Sequence, residues 1–67
     1  MIQTPPVPGT RLAPGHYVHH PGCPEWGLGQ VQSVDGNRVT VNFEHAGKQL
    51  INIGVIALVP GRPEDAD

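Results

Sequence analysis

Between Arg38 and Phe43 polar and apolar residues alternate without a fault, which sets Val39, Val41 and Phe43 on one face of an extended strand and Thr40 and Asn42 on the other. Leu28–Val34 reads as a second strand. Asp35-Gly36-Asn37 between the two is a turn sequence, because glycine and asparagine tolerate positive φ at little steric cost. The two strands are expected to form a hairpin. Glu44-His45-Ala46-Gly47 marks a second turn and Lys48–Asn52 a third strand, which Gly54 breaks before a short extended segment over Val55–Leu58. Gly15–His19 is the expected opening strand. These segments follow a period of two rather than 3.6, so the chain is read as all-β.

The prolines mark out the same centre. Pro5, Pro6, Pro8, Pro14, Pro21 and Pro24 precede Glu25, Pro60 and Pro63 follow Val59, and none lies between. A sheet tolerates proline only at edges, strand starts and bulges, because the ring fixes φ and removes a backbone donor. Five short strands joined by close turns predict a small five-stranded barrel over residues 14–60. Residues 1–13 read as a flexible proline-rich arm and 61–67 as a disordered acidic tail. Gly36 and Gly47 belong to the turns. Gly27 and Gly29 open the second strand, where a barrel bends sharply and a missing Cβ permits close backbone approach.

Length and composition narrow the chemistry. A chain of 67 residues holds one domain with a small core, and its one cysteine, Cys23, cannot form a disulfide within the chain. Met1–Pro5 has neither the positive charge nor the apolar run of a signal peptide, which makes the cytoplasm the expected location. The formal charge of −2 is weighted by Glu64, Asp65 and Asp67 at the end. Up to Arg62, four basic residues against three acidic ones leave +1, and the isoelectric point is about 6.0. A domain that lives by phosphate contacts is usually far more basic, so binding to nucleic acid is disfavoured.

Three stretches together resemble a known family: Gly15-His16-Tyr17-Val18-His19-His20-Pro21, then Glu25-Trp26-Gly27-Leu28-Gly29-Gln30-Val31, then Val39-Thr40-Val41-Asn42-Phe43-Glu44-His45-Ala46-Gly47-Lys48. The pattern is similar to that of small bacterial proteins grouped as a domain of unknown function. Those in turn resemble the Tudor-like domain at the C-terminus of UvrD-type repair helicases and the related domain of CarD-type transcription factors. The resemblance covers most of residues 15–58. It implies an SH3-like barrel that docks onto RNA polymerase, with some contribution to nucleic-acid contact. The chain differs from the helicase domains in its proline-rich arm and its acidic end.

The candidate chemistry is sparse. His19, His20, Cys23 and His45 are the residues that would cluster for zinc in a small metal-binding protein. Adjacent histidines on a strand, however, point to opposite faces, and no paired Cys-x-x-Cys accompanies them. A nucleophilic Cys23 would need an enclosed site and an orienting third group, so neither catalysis nor a cofactor is expected. Tyr17, Trp26 and Phe43 are the whole aromatic complement. With Phe43 committed to the core, too few remain for a methyl-lysine cage. Trp26 is either a core plug against the bend at Gly27 or a half-exposed anchor.

The expected function is a non-catalytic interaction module of transcription or DNA repair. Its protein-binding patch is His19, His20, Trp26, His45 and Lys48. A weak nucleic-acid-binding domain using Arg11, Arg38 and Lys48 is the alternative. An exposed edge strand offers strand addition to a partner or to a second copy, a choice the sequence leaves open.

Overall fold

In the computed structural model, which describes residues 12–62 and 64, the alternating stretch becomes the second strand of a sheet and its apolar side is sealed from water. Val39 and Val41 are 0% exposed and Phe43 2%. The strands are β1 (Tyr17–His19), β2 (Gly29–Asp35), β3 (Arg38–Phe43), β4 (Gly47–Asn52) and β5 (Val59–Pro60), with a single 3₁₀ turn, Pro24–Trp26, between β1 and β2. All five lie in one antiparallel sheet in the order β4-β3-β2-β1-β5, whose edges are β4 and β5. No α-helix occurs among the described residues, and none of their helices is long and apolar enough to cross a membrane.

The core gathers one residue from every second position: Val18 from β1, Val31 from β2, Val39, Val41 and Phe43 from β3, and Ile51 from β4, closed below by Leu58. Burying each such side chain contributes about 1.5–3 kcal/mol. In β2 the apolar spacing breaks step, with Gly29 and Val31 two apart but Val34 three further on. A β-bulge absorbs the difference: Val31 pairs with Val41 and Ser33 with Thr40, leaving Gln32 as the extra residue and returning Val34 to the core side.

Both turns close on glycine. Asp35 pairs with Arg38 across a two-residue connection in which Gly36 takes φ +60° while Asn37 keeps negative φ, the pattern of a type II′ hairpin. Asn37 thus does not use the left-handed freedom expected of it. Phe43 pairs with Gly47 across three residues, with Gly47 at φ +73°. Gly29 is no turn residue. A Cβ there would stand 2.5 Å from a methyl of Val41 and 2.7 Å from the Phe43 ring, so its bare backbone is the floor on which those two side chains lie.

Two expected boundaries move. The opening strand begins at Tyr17 rather than Gly15, although Gly15 and His16 still exchange backbone hydrogen bonds with Val31. The fifth strand is not Val55–Leu58. The Asn52 side-chain oxygen accepts from the Gly54 amide at 2.9 Å and its carbonyl from Val55 and Ile56 at 3.0 Å, which winds the chain into a turn. The segment then crosses from the β4 edge to the β1 edge, packs Ile56 and Leu58 on the core, and pairs only from Val59. Pro60 sits on that edge, where a missing amide costs no ladder bond. Of the expected arm, residues 1–11 lie outside the described residues, while Leu12 packs against the core. Of the expected tail, residues 63 and 65–67 lie outside them too, while the Gly61 amide donates to the Tyr17 carbonyl at 2.8 Å.

Candidate functional site

After β1 the chain must turn back, and Pro21 and Pro24 fix how it does so. The Cys23 amide donates to the His20 carbonyl at 3.1 Å, and the 3₁₀ turn opens with Pro24, whose missing N–H is no loss at a helix start. The turn delivers Trp26 to the end of the sheet, over Phe43. There three rings meet at tilted angles: Trp26 and Phe43 at 5.1 Å and 60°, His20 and Trp26 at 4.9 Å and 59°, His20 and Phe43 at 6.5 Å and 63°. These are the offset, edge-on arrangements that aromatic quadrupoles favour.

His20 is the correction to the expected patch. It is only 7% exposed, so it lies inside the site rather than on its rim. Alternation explains this: Val18 points inward, His19 outward, and His20 inward again. Its Nδ1 accepts the Gly22 amide at 3.0 Å, which satisfies the buried nitrogen and holds the ring under Trp26.

Trp26 itself is half-buried, one flank packed on the core cluster. Around it the β3–β4 connection is stitched to the 3₁₀ turn. The His45 amide donates to the Trp26 carbonyl at 3.0 Å, and the Glu44 amide to the Leu28 carbonyl at 2.9 Å. The Glu44 carboxylate accepts from the Leu28 amide at 3.3 Å and lies 3.7 Å from His45 Nε2. Gly27 makes this possible. It takes φ +78°, and a Cβ would stand 2.7 Å from the His45 ring and 2.8 Å from the Glu44 carboxylate. Glu44 is the residue that sequence reasoning missed. Its partner is sixteen positions away in the chain, and no local pattern announces the pair.

The remaining expected residues disperse. His45 is exposed beside Trp26. His19 lies toward β5, where a Cβ on Gly61 would be 3.0 Å from its ring and 2.8 Å from Leu28. Lys48 pairs with Asn42 on the outer face, in one row with Gln30 and Tyr17. Arg38 occupies the same face four residues along β3 from Asn42, roughly 13 Å away. Arg11 lies outside the described residues. The set His19, His20, Cys23 and His45 does not gather: among the described residues no three His, Cys, Asp or Glu side chains are grouped to hold an ion.

A second concavity, of about 500 Å³, lies below β1 and is lined by Leu12, Tyr17, Val18, Leu58 and Pro60. It is open and mostly apolar, and it was not legible in the strand pattern because Leu12 falls in the expected arm.

Set beside known proteins, residues 12–60 match the family described as a protein of unknown function (DUF3553). No curated protein and no solved structure matches the chain.

Proposed function

We propose that this chain, which belongs to the DUF3553 family, is a non-catalytic interaction module that docks onto a protein through the exposed flank of Trp26 and the neighbouring His45. One observation carries this reading: Trp26 is neither free nor wholly enclosed, but half-buried on a platform of His20 and Phe43. A large ring fixed on one side loses little conformational freedom when its other side is covered. Residues of this kind dominate the energy of small protein interfaces.

The partner belongs to the transcription or DNA-repair machinery, with RNA polymerase as the first candidate. Support comes from the likeness of the His-Pro, Trp-Gly-x-Gly-x-Val and Val-x-Phe stretches to the Tudor-like domains of UvrD-type helicases. The five antiparallel strands, short and tightly turned, are in keeping with an SH3-like barrel of that kind, and such a partner places the module in the cytoplasm. No cofactor enters this reading. Weak contact with nucleic acid is the second reading, favoured by the placement of Arg38 and Lys48 on one face of the sheet.

The test is capture from extract of the source cells on immobilised wild-type chain, on Trp26→Ala and on His45→Ala, each first shown to be folded by circular dichroism. RNA polymerase or repair proteins are expected on wild type and depleted on both variants. Equal capture by all three, or none by wild type, contradicts the docking site. Loss of the captured material in nuclease-treated extract, with a steep fall in rising salt, would favour the second reading.

A further inference from the structure

The two edges of the sheet are unlike. β5 is two residues long and contains Pro60, which has no amide to offer, so a chain added there would find almost no ladder. β4 runs for six residues without proline, and its Leu50 is 66% exposed.

Which backbone groups of β4 face outward follows from the register. The turn closing on Asp35 and Arg38 commits Arg38, Thr40 and Asn42 to β2, so Val39, Val41 and Phe43 turn to β4 and meet Ile51, Gln49 and Gly47. The series continues at Ile53, whose amide donates to the Asn37 carbonyl at 2.9 Å. The alternate residues Lys48 and Leu50 therefore direct their N–H and C=O groups away from the sheet, at an edge with no strand neighbour among the described residues.

We propose that this edge is a dimerisation site at which β4 pairs antiparallel with β4 of a second copy, centred on Leu50. In that register Leu50 lies opposite its own copy and exchanges two backbone hydrogen bonds with it, and the two exposed side chains cover each other on the outer face. Lys48 falls opposite Asn52 of the second copy. Centring the pair on Lys48 would instead oppose two ammonium groups, because Lys48 is the one charge on β4. Pairing β4 with β5 of another copy would give an open chain of molecules, and the short proline-bearing β5 blunts it. The contrast between the edges thus selects a closed two-fold pair. One strand pair is a small interface, in the class below ~1,200 Å², so the association is weak and read at high concentration.

Sedimentation equilibrium of the full chain up to about 1 mM tests this. Wild type is expected to rise from its monomer mass of 7.1 kDa toward twice that value and to stop there. Leu50→Lys, a change on an exposed side chain, is expected to fold and stay at the monomer mass, while Val59→Lys on the other edge behaves as wild type. A wild type that remains monomeric overturns the proposal. So does a folded Leu50→Lys that associates unchanged, association lost in Val59→Lys, or growth beyond the dimer.

Discussion

The end of the sheet that carries Trp26 and the end that carries the Gly36 turn are built from similar residues to opposite effect. At the Trp26 end glycine clears space: Gly29 lies under Val41 and Phe43, and Gly27 under Glu44 and His45, each at distances no Cβ could share. At the far end Gly36 supplies only a backbone angle, with nothing within 4 Å of where a Cβ would stand. Three rings and a carboxylate bridge fill the first end, whereas the second is a bare hairpin tip. The difference teaches where this small protein concentrates its order. A platform precise enough to hold a half-exposed tryptophan needs close backbone approach, and a turn does not.

Substituting the glycines should break that contrast unequally. Gly29→Ala forces a methyl into Val41 and Phe43 in a core with no room to yield, at a cost of about 3 kcal/mol. In a domain of this size each 1 kcal/mol shifts the thermal midpoint by roughly 4–8 °C, so melting followed by circular dichroism should show a fall of more than about 12 °C. Gly36→Ala meets no neighbour and pays only for its φ of +60°, about 1 kcal/mol. Its midpoint should drop by less than half as much. Equal losses for the two would mean that Gly29 serves its backbone angle alone.

Legibility in the sequence follows the same division. The core face of β3 could be read directly, because strands on both sides of it enforce strict alternation from Arg38 to Phe43. Both hairpins were legible from their turn residues. The bulge at Gln32 left a trace in the unequal spacing of Gly29, Val31 and Val34, but a trace does not say which residue is extruded. The fifth strand was misplaced because Asn52 captures the next turn with its side chain and carbonyl, a competition that propensity does not register. His20 was assigned to the rim although the parity from Val18 carries it inward. A strand ending at Pro21 gives parity little length to act on. Glu44 was invisible, since its role depends on Leu28 arriving beside it through the fold.

The central claim is that Trp26 rests one flank on His20 and Phe43 and shows the other to solvent. Trp26 is the one tryptophan of the chain, so its fluorescence reports on this site alone. Acrylamide quenching of the native protein should be intermediate, well below that of the urea-unfolded chain yet clearly measurable, and should fall when the captured partner is added. Native quenching as strong as in the unfolded chain, quenching too weak to detect, or no protection by the partner would contradict it.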